Sequence, residues 1–130
     1  MERELRGIRG AVRVRNDADD ITEWVCAMCN DIFARNGLRP DDIVSVLFSM
    51  TKDIDAMNAA AALRHGSACI DVSRLAMLAV QEAEIENMLP RTVRVLVTAY
   101  VSKGASVHHS YLNGAEVLRP GFANTGGFGL

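Results

Sequence analysis

The sequence predicts an α+β domain, a mixed sheet packed with helices, and three observations predict it. Two stretches alternate at the strand period of two, a long run carries apolar residues at the i, i+3, i+4 spacing of a helix, and the elements run strand, helix, strand, helix, then strands. The chain has 130 residues, 49% hydrophobic and 23% charged, with a net charge of −2, which suits one ordinary domain. A chain of this length buries roughly two-thirds of its unfolded surface. It needs neither disulfides nor a structural metal to fold.

Residues Ile8 to Val14 alternate, with Ile8, Gly10, Val12 and Val14 on one face and Arg9, Ala11 and Arg13 on the other, so they read as a strand. Asn16 and Asp17 supply an N-cap and an acidic first turn, and Ile21, Trp24, Val25, Met28, Ile32 and Phe33 form the apolar stripe of a helix that Asn36-Gly37 closes. Cys26 and Cys29 make a CxxC inside that helix, away from the N-terminus where a thiolate is stabilised. With no second CxxC and no His pair at zinc spacing, they read as structural thiols. After the turn at Pro40-Asp41-Asp42, the run Ile43 to Met50 is apolar enough for a buried strand. Asn58 to Arg64, rich in alanine, reads as a second helix ended by Gly66.

Met77 to Glu82 reads as a third strand and Thr92 to Val101 as a fourth. In the fourth, Val93, Val95, Val97, Ala99 and Val101 share one face and leave Arg94 on the other with Thr92, Leu96, Thr98 and Tyr100. A charge in so apolar a strand requires an acid or an anionic ligand. Ser110 to Leu118 forms the final element, carrying Tyr111 and leading into Arg119-Pro120. Residues 1–120 therefore read as a single domain, and the glycine-rich, aperiodic 121–130 as a flexible tail.

Fourteen basic residues offset sixteen acidic ones, with no basic block, so neither nucleic acid nor a membrane surface is an expected partner. No apolar stretch is long enough to span a membrane, the opening Met1-Glu2-Arg3-Glu4 is too charged for a secretory signal, and three cysteines suit a reducing compartment. The expected location is the cytoplasm. The sequence holds no nucleophile elbow, glycine-rich phosphate loop, dinucleotide fingerprint or metal-spaced histidine cluster, so neither a cofactor nor a metal is expected. His108-His109 is a candidate proton shuttle, but a polar turn before the last strand is sufficient to explain it and is the favoured reading. What remains is arginines set singly on ordered elements (Arg9, Arg64, Arg94, Arg119), one carboxylate beside apolar residues (Glu82) and one tyrosine (Tyr111).

Four local sequences then stand together: Gly7-Ile8-Arg9-Gly10-Ala11, Ser49-Met50-Thr51-Lys52-Asp53-Ile54, Leu89-Pro90-Arg91-Thr92-Val93-Arg94-Val95-Leu96, and the stretch from His109-Ser110-Tyr111-Leu112 to Leu118-Arg119-Pro120. In this order and spacing they resemble the AroH class of chorismate mutases, over about residues 5 to 120. The resemblance implies an AroH-like fold forming a pseudo-α/β-barrel homotrimer with sites between subunits. It also implies a cofactor-free Claisen rearrangement of chorismate to prephenate. By the same resemblance, Arg94 donates to the ether oxygen and a carboxylate, Glu82 accepts the ring hydroxyl, Arg9 meets carboxylate or hydroxyl groups and Tyr111 binds a carboxylate. Arg64 and Arg119 fall at the mouth, and Asn58, Ala61, Leu78, Ala79, Val80, Gln81 and Leu118 fall around the substrate. The chain departs from the pattern where Asn58 and Ala61 replace an aromatic residue and, in some members, a lysine. It departs again at Leu78 and Ala79, apolar where a small thiol or hydroxyl is usual, and through about three extra residues before Glu82, among them Arg74. These changes motivate two alternatives: an AroH-like enzyme for another cyclic enol-ether carboxylate, or a non-catalytic trimer that binds a carboxylate or a partner.

Overall fold

The structure is a computed structural model and describes residues 2–120; the tail expected over 121–130 lies outside the described residues. β1 (Arg3–Arg13) leads into α1 (Ala18–Arg35), then a 3-10 turn at Pro40–Asp42, β2 (Ile43–Met50), α2 (Ala59–His65), β3 (Met77–Gln81), β4 (Thr92–Ser102) and β5 (Ser110–Leu112), ending in a 3-10 turn at Glu116–Leu118. The five strands form one mixed sheet in the order β3-β2-β4-β1-β5. β4 is antiparallel to both β1 and β2, while the edge strands β5 and β3 run parallel to β1 and β2.

The helices form as their local signals require. The Asp17 side chain caps α1 by accepting from the Asp20 amide, and Gly37 takes the left-handed φ of 59° just past its end. Asn16 does not cap; its side chain instead ties the chain to Asp55. Asn58 caps α2, accepting from the amides of Ala60 and Ala61. Gly66 ends α2 for reasons of space, since a Cβ there would lie 2.5 Å from the Cys26 sulfur.

Both helices pack on one face of the sheet. Ile21, Val25, Met28, Ile32 and Phe33 of α1 and Ala59, Ala62 and Leu63 of α2 meet Ile8, Val12, Phe48, Val93, Val95 and Val97 in one core. Each buried Leu, Ile or Phe side chain contributes about 1.5–3 kcal/mol through water exclusion. Among the described residues no helix covers the other face.

Three sequence expectations need correction. β1 begins at Arg3, ahead of the expected Ile8, because Arg3 to Gly7 pair with Ser102 to Thr98 of β4, although the charges there break the alternation. β2 has the expected ends but is not buried on both faces: Val46, Phe48 and Met50 are buried while Val44 and Leu47 are exposed. Ser110 to Leu118 is not one element. The strand stops at Leu112, Asn113 and Gly114 adopt φ of 53° and 95°, and a 3-10 turn follows. β3 and β4 each differ from expectation by one terminal residue.

Candidate active site

Three polar residues of the open face, Ser49, Arg94 and Tyr111, lie in one transverse row. Val80 of β3 pairs with Ser49 of β2, Ser49 with Arg94 of β4, Arg94 with Ala11 of β1, and Ala11 with Tyr111 of β5. Cross-strand partners share a face, so all five project away from the helices. The adjacent row is Leu78, Leu47, Leu96 and Arg9. Together the two rows make a cavity of about 220 Å³ lined by Arg9, Gly10, Ala11, Leu47, Ser49, Arg94, Val95, Leu96, Tyr111 and Leu118.

Glu82 is the first residue past β3, fixed by its N–H donating to the Met50 carbonyl at 2.8 Å. Its Oε1 accepts from the Ser49 hydroxyl at 2.8 Å and lies 3.5 Å from Arg94 Nε. The acid that Arg94 requires is therefore Glu82. Among the described residues, no other hydrogen bond or ion pair engages the terminal nitrogens of Arg94 or Glu82 Oε2. The guanidinium fork and one carboxylate oxygen remain available to a ligand.

Gly10 brings Tyr111 close to this pair. A Cβ on Gly10 would lie 2.9 Å from the Ser110 carbonyl and 3.1 Å from the side chains of Met28 and Ile32, so the absence of a side chain lets α1 and β5 close on β1. Tyr111 then packs on a small second core of Ala11, Leu89, Ala115 and Leu118. Arg9 donates its backbone N–H to His109 Nδ1 at 2.9 Å, and its guanidinium makes no hydrogen bond or ion pair among the described residues. Partial burial pushes the His109 pKa below its ordinary value, and the positive charges of Arg9 and Arg6, with His108, push it the same way. The histidine pair thus serves structure: His109 anchors β1 and the His108 amide donates to Asn36 at 2.8 Å.

The remaining expected site residues divide. Leu118 lines the cavity, Val80 and Leu78 stand exposed on the open face, Ala79 is half-buried and Gln81 exposed. Arg119 is exposed one residue beyond Leu118. Asn58, Ala61 and Arg64 are not brought to the cavity of their own chain, because α2 packs on the helical face. Arg74 is exposed in the loop before β3. Ser49, Leu47 and Leu96 line the cavity without any catalytic motif in the sequence to mark them as site residues. A serine in an otherwise apolar strand is a weak signal, and only the register with Arg94 gives it meaning.

A second depression of about 460 Å³ is lined by Glu82 together with Lys52, Asp53, Glu84 and Glu86 among others, so Glu82 joins the first cavity only through its contact with Arg94. Its carboxylates outnumber its lysine, so an anion is better served by the arginine-lined cavity. Cys26 and Cys29 are buried in α1, and burial pushes the Cys29 thiol far above its usual range, with Cys26 and Cys69 adding to the effect. Neither supplies a thiolate. Among the described residues no group of His, Cys, Asp and Glu is placed to hold a metal ion, and no helix is long and apolar enough to cross a membrane.

Fold and cavity together define a small α+β protein whose open sheet face gathers two arginines and a tyrosine around one cavity, with a carboxylate held against one of the arginines. The family model for chorismate mutase type I matches residues 5–122, and the chain belongs to that family of isomerases. It is 32% identical over 123 residues to the chorismate mutase AroH of Bacillus subtilis (strain 168), an alignment covering 93% of this chain and 94% of that protein. Among solved structures, a chorismate mutase from Clostridium thermocellum matches with a TM-score of 0.75 and 33% identity, covering 87% of this chain and 99% of that one.

Proposed function

We propose that the chain converts chorismate to prephenate by holding the folded dianion and stabilising charge on the breaking ether oxygen. Arg94, Ser49 and Glu82, joined through Glu82 Oε1, carry this reading. The rearrangement is unimolecular, so rate comes from conformational restriction and fixed electrostatics. Glu82 occupies Arg94 through Nε and leaves its terminal nitrogens for the ether oxygen and a carboxylate. Ser49 fixes Glu82 Oε1, so Oε2 accepts the substrate's ring hydroxyl. Arg9 and Tyr111 hold the other carboxylate in the cavity that they share with Arg94. A guanidinium fork matches carboxylate geometry better than a point charge.

The working assembly is a homotrimer with each site between two subunits. Leu5, Leu47, Leu78, Val80, Leu96 and Tyr100 are all exposed on the open face, an apolar patch of a kind that marks an interface. Arg64, Asn58 and Ala61, remote from their own chain's cavity, reach the substrate from the neighbouring subunit, and Arg119 flanks the mouth. The three free thiols suit the cytoplasm.

The test is loss of the chorismate diene absorbance, with prephenate identified by acid conversion to phenylpyruvate. Wild type turns over, and Arg94→Ala loses at least roughly a hundredfold in kcat, about 3 kcal/mol of barrier. Arg94→Lys recovers little of it. Folded, oligomeric wild type that leaves chorismate untouched ends this reading.

A further inference from the structure

A separate cavity of about 370 Å³ lies where β1 turns into α1. Arg13 at the end of β1, Arg15 in the turn and Arg91 just before β4 line it, with Trp24 of α1 and Asn113. Asp20 is the one carboxylate on its wall, and it is already engaged: it accepts the Arg15 amide at 2.7 Å and lies 3.3 Å from the Arg15 guanidinium. Three guanidiniums therefore face one carboxylate. Among the described residues the Arg91 guanidinium makes no hydrogen bond or ion pair, and that of Arg13 has only the Pro90 carbonyl, 3.3 Å from Nε.

The backbone holds these like charges together. Arg91 sits at a φ of 46°, a left-handed conformation uncommon for a long side chain. Both oxygens of Asp53 accept its N–H, at 3.1 and 3.0 Å, and its carbonyl accepts from Val14 at 2.9 Å. Asn113 donates to the Arg13 carbonyl at 2.7 Å. Strand end, turn and loop are thus pinned around a positive cavity, and strained backbone held in this way concentrates at functional sites.

We propose that this cavity is a second ligand site, one that takes a small aromatic carboxylate between Arg13 and Arg91, its ring against Trp24. Guanidiniums whose terminal nitrogens have no partner among the described residues select a carboxylate, and the half-buried Trp24 offers a flat apolar surface. The volume falls at the small end of the roughly 300–1,000 Å³ range of ligand pockets, suited to one ring and not to a nucleotide. No residue lining this cavity lines the one around Arg94, so the site stands independently of the proposed reaction.

Trp24 is the chain's single tryptophan, so its fluorescence reports on this cavity. Benzoate is titrated into the full chain at constant ionic strength, with inorganic phosphate and benzyl alcohol as single-feature controls. Benzoate gives a saturable change in wild type and equally in Arg94→Ala, and binds at least about tenfold more weakly to Arg91→Gly. Glycine suits the left-handed backbone at that position, so this variant keeps the fold, checked by circular dichroism, while losing the guanidinium. Benzyl alcohol gives no saturable change, and phosphate binds more weakly than benzoate. A response that fails to saturate, persists unchanged in Arg91→Gly, disappears in Arg94→Ala or is matched by phosphate overturns the proposal.

Discussion

Along β4, Val93, Val95, Val97 and Ala99 alternate with Arg94, Leu96, Thr98 and Tyr100, and the two sets meet different surroundings. The first set is almost wholly buried beneath α1 and α2, while Leu96 and Tyr100 are 41% and 44% exposed and Arg94, beside Leu96 on the same face, lines the cavity. On the helical face every side chain is matched by another of this chain, and close packing makes volume the controlling variable. On the open face Leu47, Leu78, Val80 and Leu96 stand exposed among the described residues, and Ser49, Glu82 and Arg94 answer to one another. The lesson is that apolar content alone does not identify core. The same alternation serves stability on one side and recognition on the other.

Four substitutions break or sharpen this contrast. Phe48→Ala beneath the helices should cost about 3–5 kcal/mol of unfolding free energy, whereas Leu47→Ala, its neighbour on the open face, should change the unfolding of the isolated subunit by only about 0.5 kcal/mol. Urea titration of both variants measures the difference, and equal losses would remove the distinction between the faces. In the proposed trimer, Leu96→Asp is expected to leave the subunit folded while shifting it to monomer, because a charge in an apolar interface must be desolvated; sedimentation reads this, and a trimer unchanged by the substitution overturns the open face as its interface. The smallest effect is a pH dependence at His109, whose folded pKa lies below its ordinary value. Its contribution to stability is present above about pH 6.5, the unfolded imidazole value, and is lost as pH falls through the folded pKa, where a protonated Nδ1 can no longer accept the Arg9 amide. An acid limb in stability that His109→Asn flattens is the expected outcome, and an unaltered limb in that variant assigns the titration elsewhere.

Much of the fold was legible because its signals are local. Asp17, Asn58 and Gly37 mark helix ends through hydrogen bonds and φ values that span a few residues. The alternation in β4 placed Arg94 on the right face, and the demand for an acid partner was met by Glu82. The first residues of β1 were hidden because Arg3, Glu4 and Arg6 interrupt the alternation. Their charges are satisfied by partners such as Asp42 and by the Arg3 guanidinium lying 5.4 Å from the Tyr100 ring. Asn113-Gly114 was a visible turn signal, and it divides what had been read as one element.

By itself the sequence determined the α+β class, the helix limits, the pairing of alternate residues on each strand and, through ordered motifs, the resemblance to a chorismate mutase. Only the tertiary structure decided that Ser49 joins Arg94 and Glu82, that Gly10 lets Tyr111 approach, that α2 lies on the face away from the cavity, and that Arg13 and Arg91 share a second one. The physical reason is distance along the chain. Caps and periodicity act within a turn or two, whereas a site is set by the register of strands tens of residues apart, and register follows from packing of the whole sheet.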